Sequence, residues 1–167
     1  MKTEVTIDGN KFLINGKPTY EGVSYNGHKV EGLLYNSRMV QALFGNENPA
    51  TREYITYPDT GVWDPDRNTG VFCAALPGYR SYGLLGVTVG LQGGGHYYHP
   101  EMYDNYINSA FYPQGNFKKP YFDRLYRILQ EADDAGMVVI VYYFYWKQIQ
   151  KIRDEALIPS ITEAITA

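Results

Sequence analysis

The strongest constraint in this chain is one phrase that occurs twice: a helical stretch, a single glycine, an apolar run, then a long polar loop. Gly83 precedes Leu84 to Leu91, and Gly136 precedes Met137 to Tyr145. A glycine after the last helical turn supplies the left-handed residue that ends a helix. An almost unbroken apolar run behind it reads as a strand buried on both faces, as in a parallel sheet. Short helix-to-strand turns with long strand-to-helix loops suit a βα barrel, and equally a doubly wound open sheet. No G-x-G-x-x-G element follows either strand, so the dinucleotide form of the open sheet is not indicated.

The flanking segments extend the pattern. A helix is expected from Asn68 or Thr69 to about Tyr82, with Phe72, Ala75, Leu76 and Tyr79 on one face and a break at Pro77-Gly78. A second is expected from Pro120, with Phe122, Leu125, Leu129 and Ala132 as its apolar stripe. Near the start, Val5-Thr6-Ile7 and Phe12-Leu13-Ile14 are punctuated by Asp8-Gly9-Asn10 and Asn15-Gly16, which predicts a hairpin over residues 4–19. Tyr20 to Tyr25 reads as a short strand, Leu33 to Phe44 as a strand or helical piece, and Lys147 to Ala167 as the start of a helix interrupted at Pro159.

Together these give an α/β expectation: a partial TIM (β/α)8 barrel, its first three βα units preceded by a capping β-hairpin. The whole chain, 1–167, reads as one truncated barrel domain: hairpin 4–19, three strands with long loops 20–146, start of the third helix 147–167. A closed barrel takes eight units and about 250 residues. An open parallel edge at the last strand then predicts self-association.

Composition narrows the partners. A formal net charge of −3 and a pI of 5.6 argue against nucleic acid. No apolar run approaches the ~20 residues of a membrane span. The start, Met1-Lys2-Thr3-Glu4, leads into alternation rather than an apolar signal core, and Cys73 is the only cysteine. A cytoplasmic location is expected from both. The 17 tyrosines are unusual. Each hydroxyl needs a partner, so tyrosines either line a surface or cleft suited to sugars, or fill a wet half-core.

Several segments, in order and spacing, carry a resemblance. They are Phe12-Leu13-Ile14-Asn15-Gly16-Lys17-Pro18, Tyr20-Glu21-Gly22-Val23-Ser24-Tyr25-Asn26-Gly27, Tyr35-Asn36-Ser37-Arg38-Met39-Val40, Tyr57-Pro58-Asp59-Thr60-Gly61, Leu91-Gln92-Gly93-Gly94, Asn108-Ser109-Ala110-Phe111 and Gly136-Met137-Val138-Val139-Ile140. The chain, to about Ala156, resembles the amino-terminal part of cellulase-like (β/α)8 glycoside hydrolases. The resemblance implies O-glycosyl hydrolysis of β-linked glucan-type sugars by a retaining mechanism, with the acid/base and nucleophile glutamates after strands four and seven. It also implies that Arg38 faces the substrate. The expected glutamates have no counterpart here: the one Asn-Glu pair, Asn46-Glu47, lies in a loop. The chain is therefore expected to be inactive by itself, with no catalytic residue assigned.

Glu101 and Asp104 follow the second strand and are the remaining carboxylate candidates, against a reading as an exposed acidic loop. His96-Tyr97-Tyr98-His99 with Glu101 has ligand spacing for zinc. A small metal-dependent hydrolase is thus one alternative, although no metal or other cofactor is assigned. A non-catalytic carbohydrate-binding or interaction module is the other. The substrate-side set is Tyr25, Asn26, Arg38, Gln92, His96, Tyr143, Tyr145 and Trp146, with an oligosaccharide or polysaccharide as partner. For Tyr143 and Tyr145, alternation lets only one set face inward.

Overall fold

The computed structural model describes residues 2–94 and 105–167. Strands β1 (Val5–Asp8), β2 (Lys11–Ile14) and β3 (Lys17–Pro18) form an antiparallel sheet in that order, within the residues where the hairpin is expected. Asn15 and Gly16 both take positive φ, 52° and 75°, as a tight two-residue hairpin turn requires. Tyr20 donates its hydroxyl to the Gly83 carbonyl at 3.0 Å, and Lys2 and Thr3 donate backbone N–H groups to the Asp133 carboxylate. The small sheet thus sits against the two helix-to-strand turns.

The strand expected at Tyr20–Tyr25 forms differently. Asn26 and Gly27 have φ of 48° and 78°, which folds β4 (Ser24–Tyr25) back on β5 (His28–Lys29) as a second antiparallel hairpin. The first strand of the parallel sheet comes later, as β6 (Asn36–Arg38). It is followed by a 3-10 turn at Val40–Leu43 and a one-turn helix, α1 (Pro49–Arg52).

Glu31 ties the two hairpins together. Its carboxylate pairs with Lys11 at 2.7 Å and Lys29 at 3.0 Å, and accepts the Gly22 N–H at 2.9 Å. The Lys11 hydrogen bond, then the Gly22 N–H and Lys29, hold its pKa at about 2, against 4.5 ordinarily. A lowered folded-state pKa gives stabilisation that is complete above the unfolded value and lost as pH falls through the folded one. The hairpin contact is therefore expected to weaken between pH 4.5 and about 2. A carboxyl NMR titration should give a Glu31 midpoint near 2, and a midpoint at the ordinary glutamate value would refute the contact.

Helix α2 (Pro65–Ser81) starts earlier than the sequence suggests, because Asp64 caps it. One Asp64 carboxylate oxygen accepts from the Asp66 and Arg67 N–H groups, both at 2.9 Å, and Pro65 occupies the first turn. The helix runs through Pro77 instead of stopping there. It leads to β7 (Gly86–Gly90), helix α3 (Lys119–Asp134) and β8 (Val138–Tyr142). The face α3 buries is Tyr121, Leu125, Ile128 and Ala132, turned by about one residue from the expected stripe, so that Leu129 stays 39% exposed. Tyr121 helps fix that rotation: its buried hydroxyl reaches the Gly90 carbonyl at 3.1 Å. Residues 147–167 do not form one helix. A single turn, α4 (Trp146–Ile149), is separated from α5 (Ile158–Thr166), and Pro159 lies in the first turn of α5, where its missing N–H costs nothing.

Strands β6, β7 and β8 pair in parallel in that order. Leu76 of α2 and Ala132 of α3 pack with Val87, Met137 and Val139, while Cys73, Leu125 and Ile128 pack around Val89. Both helices therefore cover one face of the sheet. Alternation sends Asn36, Arg38, Thr88, Ile140 and Tyr142 to the other face. The barrel expectation is thereby corrected. The described chain makes small separate sheets, two of them antiparallel, and a three-stranded open parallel sheet. Among the described residues no barrel of βα units is evident: the segment expected as the first strand folds into a hairpin, and the short β6 stands at an open edge instead.

Candidate functional site

In parallel α/β sheets, ligands gather beyond the carboxyl ends of the strands, where loops and strand-end side chains converge. Here those ends bring Arg38, Tyr142 and Tyr145 together on the helix-free face. The Arg38 guanidinium carbon lies 5.9 Å from the Tyr142 ring centroid, and the Tyr142 and Tyr145 rings are 6.5 Å apart. Beside them Thr88 donates its hydroxyl to the Asn36 side-chain oxygen at 2.7 Å. The phenol end of Tyr142 lies over Gly90, its partner in the ladder, so closely that a β-carbon there would collide with it. Burial pushes the Tyr142 hydroxyl above its ordinary pKa, and Arg38 pulls it partly back. The phenol stays neutral at pH 7 and remains a hydrogen-bond donor.

Arg38 is exposed, and among the described residues no carboxylate pairs with it. It also borders a cleft of about 530 Å³ between the end of β6 and α2, whose other walls include Met39, Gln41, Asn68, Phe72 and Tyr79. That volume falls within the range of small-molecule sites, roughly 300–1,000 Å³.

The other sequence candidates are distributed differently. Tyr25, 71% exposed, and Asn26 belong to the β4–β5 hairpin and not to the parallel sheet. Gln92 is fully buried. Its amide nitrogen donates to the Ser109 hydroxyl at 3.0 Å and the Gln148 carbonyl at 3.3 Å, and its oxygen accepts from the Tyr145 N–H at 3.0 Å. Gln148 extends this network by donating to the Tyr106 carbonyl at 2.9 Å and accepting from the Asn108 N–H at 3.2 Å. Gln92 thus holds Tyr145 in place through its backbone. Tyr143 packs against the main core, edge-on to Phe144. Trp146 is 63% exposed with the Lys147 ammonium 4.8 Å from its ring. His96, His99, Glu101 and Asp104 lie outside the described residues.

Sequence reasoning passed over Tyr142. Alternation puts residues 138, 140 and 142 on one face, but that this face is helix-free and that Gly90 stands opposite Tyr142 are set by the tertiary packing. Among the described residues no cluster of His, Cys, Asp and Glu is arranged to hold a metal ion, and no helix is long and apolar enough to cross a membrane. Comparison of the chain with family models, with curated proteins and with solved structures returns no match.

Proposed function

We propose that this chain binds a β-linked, glucan-type oligosaccharide across Arg38, Tyr142 and Tyr145, as the carbohydrate-contacting part of a glycoside hydrolase-like protein. The observation that carries the reading is the Arg38 guanidinium, exposed, beside the Tyr142 ring, with no carboxylate paired to it among the described residues. A planar guanidinium presents a rigid fork of donors to paired oxygens. Tyrosine rings offer an apolar face, which suits the flat apolar face of a pyranose; the Tyr142 hydroxyl itself is buried, so its ring is what a sugar would meet. The adjoining cleft, between the end of β6 and α2, offers room for a further unit on the other side of Arg38. The motif resemblance to cellulase-like hydrolases points to the same ligand class.

The proposal covers binding alone. Retaining hydrolysis needs two carboxyl groups about 5 Å apart, and Arg38 and Tyr142 have no such pair beside them among the described residues. Calorimetric titration with cello-oligosaccharides should show saturable binding without release of reducing ends. Arg38→Ala should weaken it roughly 10- to 100-fold, the usual worth of a hydrogen bond to a charged group. Tyr142→Phe should keep most of the affinity, and Tyr142→Ala should lose it. Equal affinity in the wild type and Arg38→Ala would refute the site, and steady release of reducing ends would refute the restriction to binding.

A further inference from the structure

The two edges of the parallel sheet are unlike. Edge strand β6 is short, polar and ends on Arg38, features that discourage pairing with another chain. Edge strand β8, Val138-Val139-Ile140-Val141-Tyr142, carries no charge and no proline. Among the described residues, β7 and α3 are the elements packed against it.

The hydrogen-bond directions show what that edge can accept. Val138 donates its N–H to the Leu85 carbonyl at 2.8 Å, and the Tyr142 carbonyl accepts from Leu91 at 3.0 Å. With Gly86 opposite Val138 and Gly90 opposite Tyr142, the residues Val138, Ile140 and Tyr142 turn both backbone groups toward β7. Val139 and Val141 then turn theirs to the free side. Donor and acceptor on each, two residues apart, are what one antiparallel strand pairs with.

We infer that β8 pairs with β8 of a second copy of this chain, antiparallel about a two-fold axis at Ile140. In that register Val139 faces Val141 of the second copy, and each such pair exchanges both N–H···O bonds. Ile140 meets its own counterpart in the closer, non-hydrogen-bonded position. Val138 faces Tyr142. Every cross-strand pair is apolar or aromatic, and no like charges oppose each other. Ile140, 37% exposed in the single chain, becomes buried at the axis. The pairing joins the two sheets into one, with both helix-free faces on the same side. The inference does not rest on the sugar reading, although Tyr142 takes part in both.

The test is the oligomeric state of the full chain, by sedimentation velocity over a wide concentration range. The wild type should move from monomer to dimer. Ile140→Lys and Ile140→Glu should each weaken the dimer roughly a hundredfold or more, because like charges then meet at the axis. An equimolar mixture of the two should dimerise again, and that recovery tests the register directly. Val141→Pro is an independent variant: it removes an N–H that points away from β7. It too should abolish the dimer while the circular dichroism spectrum is kept. A wild type that stays monomeric at every soluble concentration, or assembles beyond dimers, would overturn the proposal. So would charged variants that dimerise as the wild type does, or a mixture that does not recover.

Discussion

The Gln92→Leu variant is expected to lose about 2 kcal/mol of stability, since a buried polar group stranded by a lost partner costs about 1–3 kcal/mol. The side chain is fully buried and all its hydrogen bonds are spent on the protein. Leucine fills the volume but leaves the Tyr145 N–H without its acceptor, while the Gln148 carbonyl keeps its bond from the Lys151 N–H. Denaturant unfolding checks this by the shift in midpoint. Tyr25→Ala serves as the comparison: that side chain is 71% exposed, and its loss should stay within about 0.5 kcal/mol. A Gln92→Leu cost as small as that of Tyr25→Ala would show that the buried amide network is not what secures the β8 loop. The variant also separates two roles. A residue that merely contacted ligand would lose affinity without losing stability.

The second large effect is expected at Gly90. Its β-carbon position is occupied by the Tyr142 phenol, and Gly90 is buried at the end of β7, beside β8. Gly90→Val forces the ring off the sheet, at about 1–3 kcal/mol for overpacking a close-fitting site. With the ring goes its contact with Arg38, so sugar affinity should fall as far as in Tyr142→Ala. Aromatic NMR shifts of Tyr142 report the displacement. An unchanged Tyr142 spectrum with full affinity would mean that the ring does not lie where the geometry has it.

The parts of the fold that were legible in the sequence are those decided locally. Asn15-Gly16 admits few conformations besides a tight hairpin turn, and Gly83 and Gly136, with φ of 88° and 67°, end their helices as their type suggests. The apolar runs behind them became β7 and β8, each shorter than the run itself. What misled was a conflict between two signals in residues 20–29. The apolar and aromatic residues there suit a strand in any sheet, and the resemblance assigned them to a parallel one. Asn26-Gly27 instead closed the chain on itself, and Glu31 locked that hairpin with Lys11 and Lys29. Periodicity within one segment does not reveal which segment it will pair with.

The candidate site was legible only in part, for a similar reason. Arg38 was marked by the motif around it, and Tyr145 by its place after a strand. Gln92 occupies an equivalent strand-end place, yet it points into the Ser109–Gln148 network and not toward solvent. Strand-end position gives a residue access to a ligand face only if no loop closes over it, and here residues 106–109 do so. Tyr142 was hidden inside an apolar run that reads as core. Its place on the helix-free face depends on both helices packing on the opposite one, which is a property of the tertiary arrangement.

The most direct measurement is the side-chain ¹H–¹⁵N spectrum of the arginines during titration with a cello-oligosaccharide. Arg38 is assigned by its loss in Arg38→Ala, and Arg124, 7% exposed on α3, serves as the internal reference. The proposed site predicts that the Arg38 Nε signal shifts and saturates with the calorimetric affinity while Arg124 stays still. An Arg38 signal that does not move, whether or not sugar binds elsewhere on the chain, would contradict it.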